Sequence, residues 1–243
     1  DDGKLIDQPT LRNRMEGYFK QVIQYFETTY PDVIYAWDVV NEAVEQDGFG
    51  YEESLWYQIY GGVSYIADAF QIARKYSKLF YNDYNVFIPL KTQKIIEITK
   101  PILDSGNLDG IGMQAYYNAD YPGVYDGKDN IRTAVLRVAQ EGFEIAFTEF
   151  TVRVKDRYNI EKDDYEKQAQ RYAEILRMLL ELKKSGRINI TSITFFGLID
   201  EYYSYILKKE QTSYDENEFT RLFDKYLRPK PAFYAVLNTA LQL

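Results

Sequence analysis

Two glutamates stand at the ends of apolar runs, and their placement suggests chemistry before any element is assigned. Tyr35 to Ala43 reads YAWDVVNEA, apolar and aromatic until it stops at Asn41 and Glu42. Phe143 to Phe150 reads FEIAFTEF, again apolar until Glu149. A strand buried on both faces reads as a nearly continuous apolar run, so an acid at its end sits where a sheet opens onto a cleft. Two carboxylates delivered to one opening suit hydrolysis of a glycosidic bond. One protonates the leaving oxygen and the other attacks the anomeric carbon.

Composition narrows the alternatives. The 243 residues contain no histidine and no cysteine, so Ser-His-Asp and Cys-His systems, disulfides and most zinc sites are excluded. Acid-base work falls to carboxylates, tyrosines or lysines, and neither a metal nor a cofactor is called for. The formal net charge of -8 argues against nucleic acid as a partner. At 46% hydrophobic and 27% charged, the chain reads as one globular domain over residues 1–243. No apolar run approaches the roughly 18 residues of a membrane span. The 24 tyrosines and 14 phenylalanines fill a core first, but those at a cleft can stack on sugar faces.

The elements that must position these groups alternate. A helix over Leu11–Thr29, capped by Thr10, precedes the Glu42 strand. A second helix spans Ser54 to about Tyr76 and is broken near Gly61-Gly62. Strands follow near residues 79–85 and 109–116, separated by a helix over about Leu90–Leu103. Helices near Ile131–Gln140 and Tyr165–Lys184 flank the Glu149 strand at 144–151. A fifth strand at 191–199 ends before Asp200, and Lys230-Pro231 opens a last helix. Polar groups collect at the strand C-termini, the pattern of an α/β protein with a (β/α)8 barrel and its active site at that end.

Several stretches, in order, resemble the family 10 glycoside hydrolases, the endo-β-1,4-xylanases. They are LRNRM at Leu11, WDVVNEA at Trp37, FYNDYN at Phe80, GIGMQ at Gly110, Thr148-Glu149, FFGLID at Phe195 and LFDKYLRPKPAFY at Leu222. The resemblance implies a retaining endo-xylanase with Glu42 as general acid/base and Glu149 as nucleophile. It also implies substrate contacts from Asn41, Asn82, Tyr84, Gln114, Tyr116, Phe196 and Tyr205. Tyr116 stands where the family usually has histidine, and Thr151 where it has aspartate, so Tyr116 is expected to donate to Glu149 in the histidine's place. Asp38 and Asp83 are expected to be structural. Other readings are a different retaining barrel glycosidase of the same clan, or a non-hydrolytic xylan-binding protein.

The five strands correspond to the fourth through eighth of the family. The resemblance therefore implies that this chain is the C-terminal portion of the barrel, without the first three βα units. The partners it implies are xylan or xylo-oligosaccharide and the N-terminal segment of the same barrel. That segment is either a separate chain or lies across an inserted carbohydrate-binding module. Secretion or a cell-surface location is expected on the same ground.

Overall fold

The computed structural model describes residues 4–74, 77–154, 161–200 and 219–242. Its first helix, α1 (Gln8–Thr29), is capped by Asp7, not by Thr10: the Asp7 carboxylate accepts the Thr10 N–H at 2.8 Å. Pro9 in the first turn needs no N–H partner, so the helix starts two residues before Thr10 can cap it.

Strand β1 (Ala36–Asn41) follows, and then α2 (Leu55–Tyr60) and α3 (Ser64–Ala73) divide the predicted second helix at Gly61 and Gly62. Next come β2 (Lys78–Asp83), α4 (Pro89–Asp104), β3 (Gly110–Met113), β4 (Tyr116–Asn118) and α5 (Ile131–Gln140). The described elements end with β5 (Glu144–Arg153), α6 (Lys162–Lys184), β6 (Ile190–Phe195) and α7 (Pro231–Leu241).

Every strand pairing is parallel, and β1, β2, β3, β5 and β6 lie side by side in chain order. Strand β4 continues the line of β3 after a two-residue break and pairs higher up β5, Tyr116 opposite Thr151. The predicted strand 109–116 is thus two pieces. Ala115 between them takes a left-handed φ of 58°, which no extended strand accommodates. The fifth strand ends at Phe195 rather than 199, because Gly197 at φ 80° turns the chain out of extension.

Burial follows position in the arc. The central strands β2 and β3 are nearly wholly buried, as Leu79, Phe80, Tyr81 and Ile111 show. The helices bring Ile95, Val135, Ile175 and Leu179 into the core, each side chain worth about 1.5–3 kcal/mol when fully buried. The outer strands differ. Only Val40 of β1 and Ile190 of β6 are buried, and among the described residues each of these strands is bonded to one neighbour. Among the described residues no helix is long and apolar enough to cross a membrane.

Candidate active site

The ends of β1, β2 and β3 and the second half of β5 bring the predicted groups to one place; Glu149 lies inside β5, which runs to Arg153 and past the predicted end at 151. Glu42 follows the last residue of β1 with a left-handed φ of 55°, and its N–H donates to the Asn82 carbonyl at 2.9 Å. Among the described residues five non-glycine residues have positive φ, and Glu42, Asn85 and Ala115 are three of them, all at the C-terminal mouth of the strands. Such backbone costs on the order of 1–3 kcal/mol each, so the strain is concentrated where the carboxylates stand.

A polar chain ties the ends of β1, β2 and β3 to the middle of β5. The Thr148 hydroxyl donates to Asn82 Oδ1 at 2.7 Å, and Asn82 Nδ2 donates to Asn41 Oδ1 at 2.9 Å. Gln114 Nε2 donates to the same Asn41 oxygen at 3.2 Å and to Glu42 Oε1 at 2.7 Å. With its oxygen accepting twice, Asn41 is left with two N–H donors for a ligand hydroxyl. Gly112 makes the crossing possible: a Cβ there would lie 2.5 Å from Asn82 Oδ1 and 3.0 Å from Thr148 Cγ2.

The break between β3 and β4 distributes one neutral donor to each carboxylate. Gln114, on one side of Ala115, holds Glu42. Tyr116, on the other, donates its hydroxyl to Glu149 Oε2. The two donors are two residues apart, at most about 7 Å along the chain, so both carboxylates are gripped from one short segment. Tyr116, expected to donate to Glu149 where the resembled family has histidine, is hydrogen-bonded to it here. Thr151, which stands where the resembled family usually has aspartate, is buried and gives its N–H to the Ala115 carbonyl at 3.1 Å.

Aromatic surface adjoins Glu149. Tyr116 and Phe196 are both exposed, with ring centroids 5.9 Å apart at 78°, and the Arg221 guanidinium lies 5.5 Å over Phe196. Tyr84 follows the end of β2 and is half-buried. Burial, then the charges of Asp83, Glu52, Glu42 and Asp47, raises its phenol above the usual range, so the ring is within electrostatic reach of Glu42. Tyr205, also predicted to touch substrate, lies outside the described residues.

Sequence reasoning missed three groups. Thr148 was read only as the companion of Glu149, yet its hydroxyl orients Asn82. Asp38, expected to be structural, is close enough to Glu149 for charge to matter: burial first, then the Glu149 charge, raises its carboxyl above the usual range. Lys91, in the first turn of α4, is fully buried and pairs with Asp83 at 2.7 Å. A lysine there looks like any surface cation in the sequence, so no signal marked it.

A parallel α/β arc that carries two hydrogen-bonded carboxylates, Glu42 just after β1 and Glu149 in the second half of β5, has the arrangement of the barrel glycoside hydrolases. This chain belongs to Glycosyl hydrolase family 10, which it matches over residues 2–239. A relative from Caldicellulosiruptor saccharolyticus is 39% identical over 246 residues, covering 98% of this chain and 76% of the relative. The endo-1,4-beta-xylanase B of Butyrivibrio fibrisolvens is 36% identical over 98% of this chain, which spans 36% of that longer protein. The intracellular xylanase of Thermoanaerobacterium saccharolyticum superposes with a TM-score of 0.76 at 30% identity, over 97% of this chain and 68% of its own. Mutants of that xylanase have been solved with xylotetraose and with xylotriose.

Proposed function

We propose that this chain carries the catalytic carboxylates of a retaining endo-β-1,4-xylanase. The observation that supports the reading most is the 114–116 segment, which gives one donor to Glu42 and one to Glu149. In the first step the Glu149 carboxylate attacks the anomeric carbon while Glu42 gives its proton to the departing glycosidic oxygen. The C–O bond breaks and a glycosyl ester forms. In the second step the Glu42 carboxylate takes a proton from water, the water oxygen attacks the same carbon, and the ester breaks with the original configuration restored. This route requires carboxyl groups about 5–5.5 Å apart, whereas about 6.5–9.5 Å belongs to the inverting route. Asn41 would bond a sugar hydroxyl at the reacting ring, with Tyr84, Tyr116 and Phe196 as flanking aromatic surface. Xylan is the substrate we propose, on the names of the relatives and the xylo-oligosaccharides bound to the T. saccharolyticum enzyme.

We also propose that three further βα units complete the barrel. Strands β1 and β6 each have one described partner. The helices beside them turn apolar residues outward: Tyr18 and Tyr25 on α1, and Tyr234, Leu237 and Leu241 at helical spacing on α7. An unpaired strand edge flanked by such a surface is an aggregation hazard unless covered. The occupant that fits both edges is the N-terminal segment of the same barrel. Export from the cytoplasm remains a proposal that rests on the family resemblance, against the T. saccharolyticum xylanase, which is intracellular. Fractionation of a producing culture checks it.

The function is tested by release of reducing ends from xylan by the complete protein, with Glu149→Ala as control. Activity that falls by about 10³-fold or more in the control supports the reading. Equal activity in both, or none in the parent protein, overturns it.

A further inference from the structure

Lys91 occupies a position that stability does not account for. It lies in the first turn of α4, where the helix dipole opposes a cation, and it is fully buried. Its partner Asp83 is fully buried as well, and a buried ion pair is weak evidence for stability, because desolvation takes back most of the attraction.

What the pair does is visible in its contacts. Asp83 Oδ1 faces Lys91 Nζ at 2.7 Å and accepts the N–H of Tyr84 at 2.9 Å. Asp83 Oδ2 accepts the Tyr81 hydroxyl at 2.6 Å, and that hydroxyl accepts the N–H of Ala43, the residue after Glu42, at 3.0 Å. Lys91 Nζ lies 3.5 Å from the centroid of the Tyr84 ring. One buried charge pair therefore holds the backbone next to Glu42, the backbone of Tyr84 and the Tyr84 ring. The remaining charges that bear on Lys91 come from Glu42 and Glu52, and both favour its protonated form. Burial acts the other way, pushing Lys91 below the usual lysine range and Asp83 above the usual carboxylate range. The loop after Glu42 packs on the first turn of α4: a Cβ on Gly48 would stand 2.4 Å from the Lys91 backbone nitrogen.

We propose that the Asp83–Lys91 pair is a positioning element that fixes the Tyr84 ring beside Glu42 and so sets how tightly a sugar is held there. The proposal rests on the xylanase reading for its ligand, but not for its effect on Tyr84. A lysine under a tyrosine face gains from the ring quadrupole, more so when desolvated, and the ring loses freedom in exchange. A sugar stacking on the restrained ring then pays less ordering entropy.

The test has two arms, both in the complete protein with Glu149→Ala so that bound sugar is not cleaved. In the first, the ring signals of Tyr84 are followed by NMR with labelled tyrosine and without sugar. Lys91→Met is expected to shift and average them, and Lys91→Arg to preserve them. In the second, calorimetry measures xylotetraose binding for the parent, Lys91→Met, Tyr84→Ala and the double variant. Lys91→Met should weaken binding about tenfold when Tyr84 is present and not at all once it is gone, the mark of one residue acting through another. Should Lys91→Met not fold, Lys91→Met with Asp83→Asn removes both charges at once and carries the same comparison.

Unchanged Tyr84 signals, or an equal loss of affinity in both Tyr84 backgrounds, would overturn the proposal. Xylotetraose binding to none of the proteins, with Tyr84 still responding to Lys91, would instead count against the xylanase reading and leave the positioning role standing.

Discussion

At the residue scale, the hydrogen bonds seen on the two glutamates among the described residues come from neutral donors. Glu42 takes the amide of Gln114 and Glu149 takes the phenol of Tyr116, in a chain without histidine. The glutamates were legible because an acid closing an apolar run is conspicuous. Gln114 and Tyr116 were legible only through resemblance, and their shared segment was not, since nothing in the sequence marks Ala115 as left-handed. Asp38 gives the scale its pH prediction. Its carboxyl is raised by burial and then by Glu149, although one side of it is open to solvent. A raised acid contributes stability that is present below the unfolded value, about 4, and lost as pH rises through the folded value. Asp38→Asn should therefore raise the thermal midpoint at pH 7 and match the parent near pH 4. A gain that is the same at both pH values would contradict this assignment.

At the element scale, alternating strands and helices were readable because apolar period and turn residues agree over long segments. Helix α5 has the bounds the sequence predicts, and α2 and α3 divide at the anticipated glycines. What was not readable is set by backbone conformation at single residues: the Asp7 cap, the break at Ala115 and the early end of β6 at Gly197. The loop from Ala43 to Ser54 is the element most sensitive to one such residue. Gly48 has φ 83°, and a side chain there would meet the backbone of Leu90 and Lys91 at 2.4–2.7 Å. Gly48→Ala is thus expected to cost about 1–3 kcal/mol, read as a lower denaturant midpoint, and to reduce activity by displacing the loop beside Glu42. A midpoint equal to the parent's would mean that the loop can move away from α4 freely.

At the scale of the whole molecule, the parallel arc has two outer strands that differ from its centre. β2 and β3 are buried on both faces, whereas β1 exposes Asp38 and β6 exposes Thr194. A cavity of about 150 Å³ on the inner side is lined in part by Asp38, Thr148, Ser192 and Thr194. If three further βα units complete the barrel, as proposed above, co-expression with them should raise the solubility and activity of this chain, checked by size-exclusion chromatography and a xylan assay. Full activity from a monomer of residues 1–243 alone would contradict that proposal.

The central claim, that this chain carries the nucleophile and the acid/base of one retaining site, is tested most directly by trapping the glycosyl-enzyme. The complete protein is treated with a 2-deoxy-2-fluoro xylobioside bearing a good leaving group, and the digested product is sequenced by mass spectrometry. The account predicts one added xylobiosyl group, esterified to Glu149. A label on Glu42 or on any other residue, or turnover of the normal substrate with inverted configuration at the anomeric carbon, would contradict it.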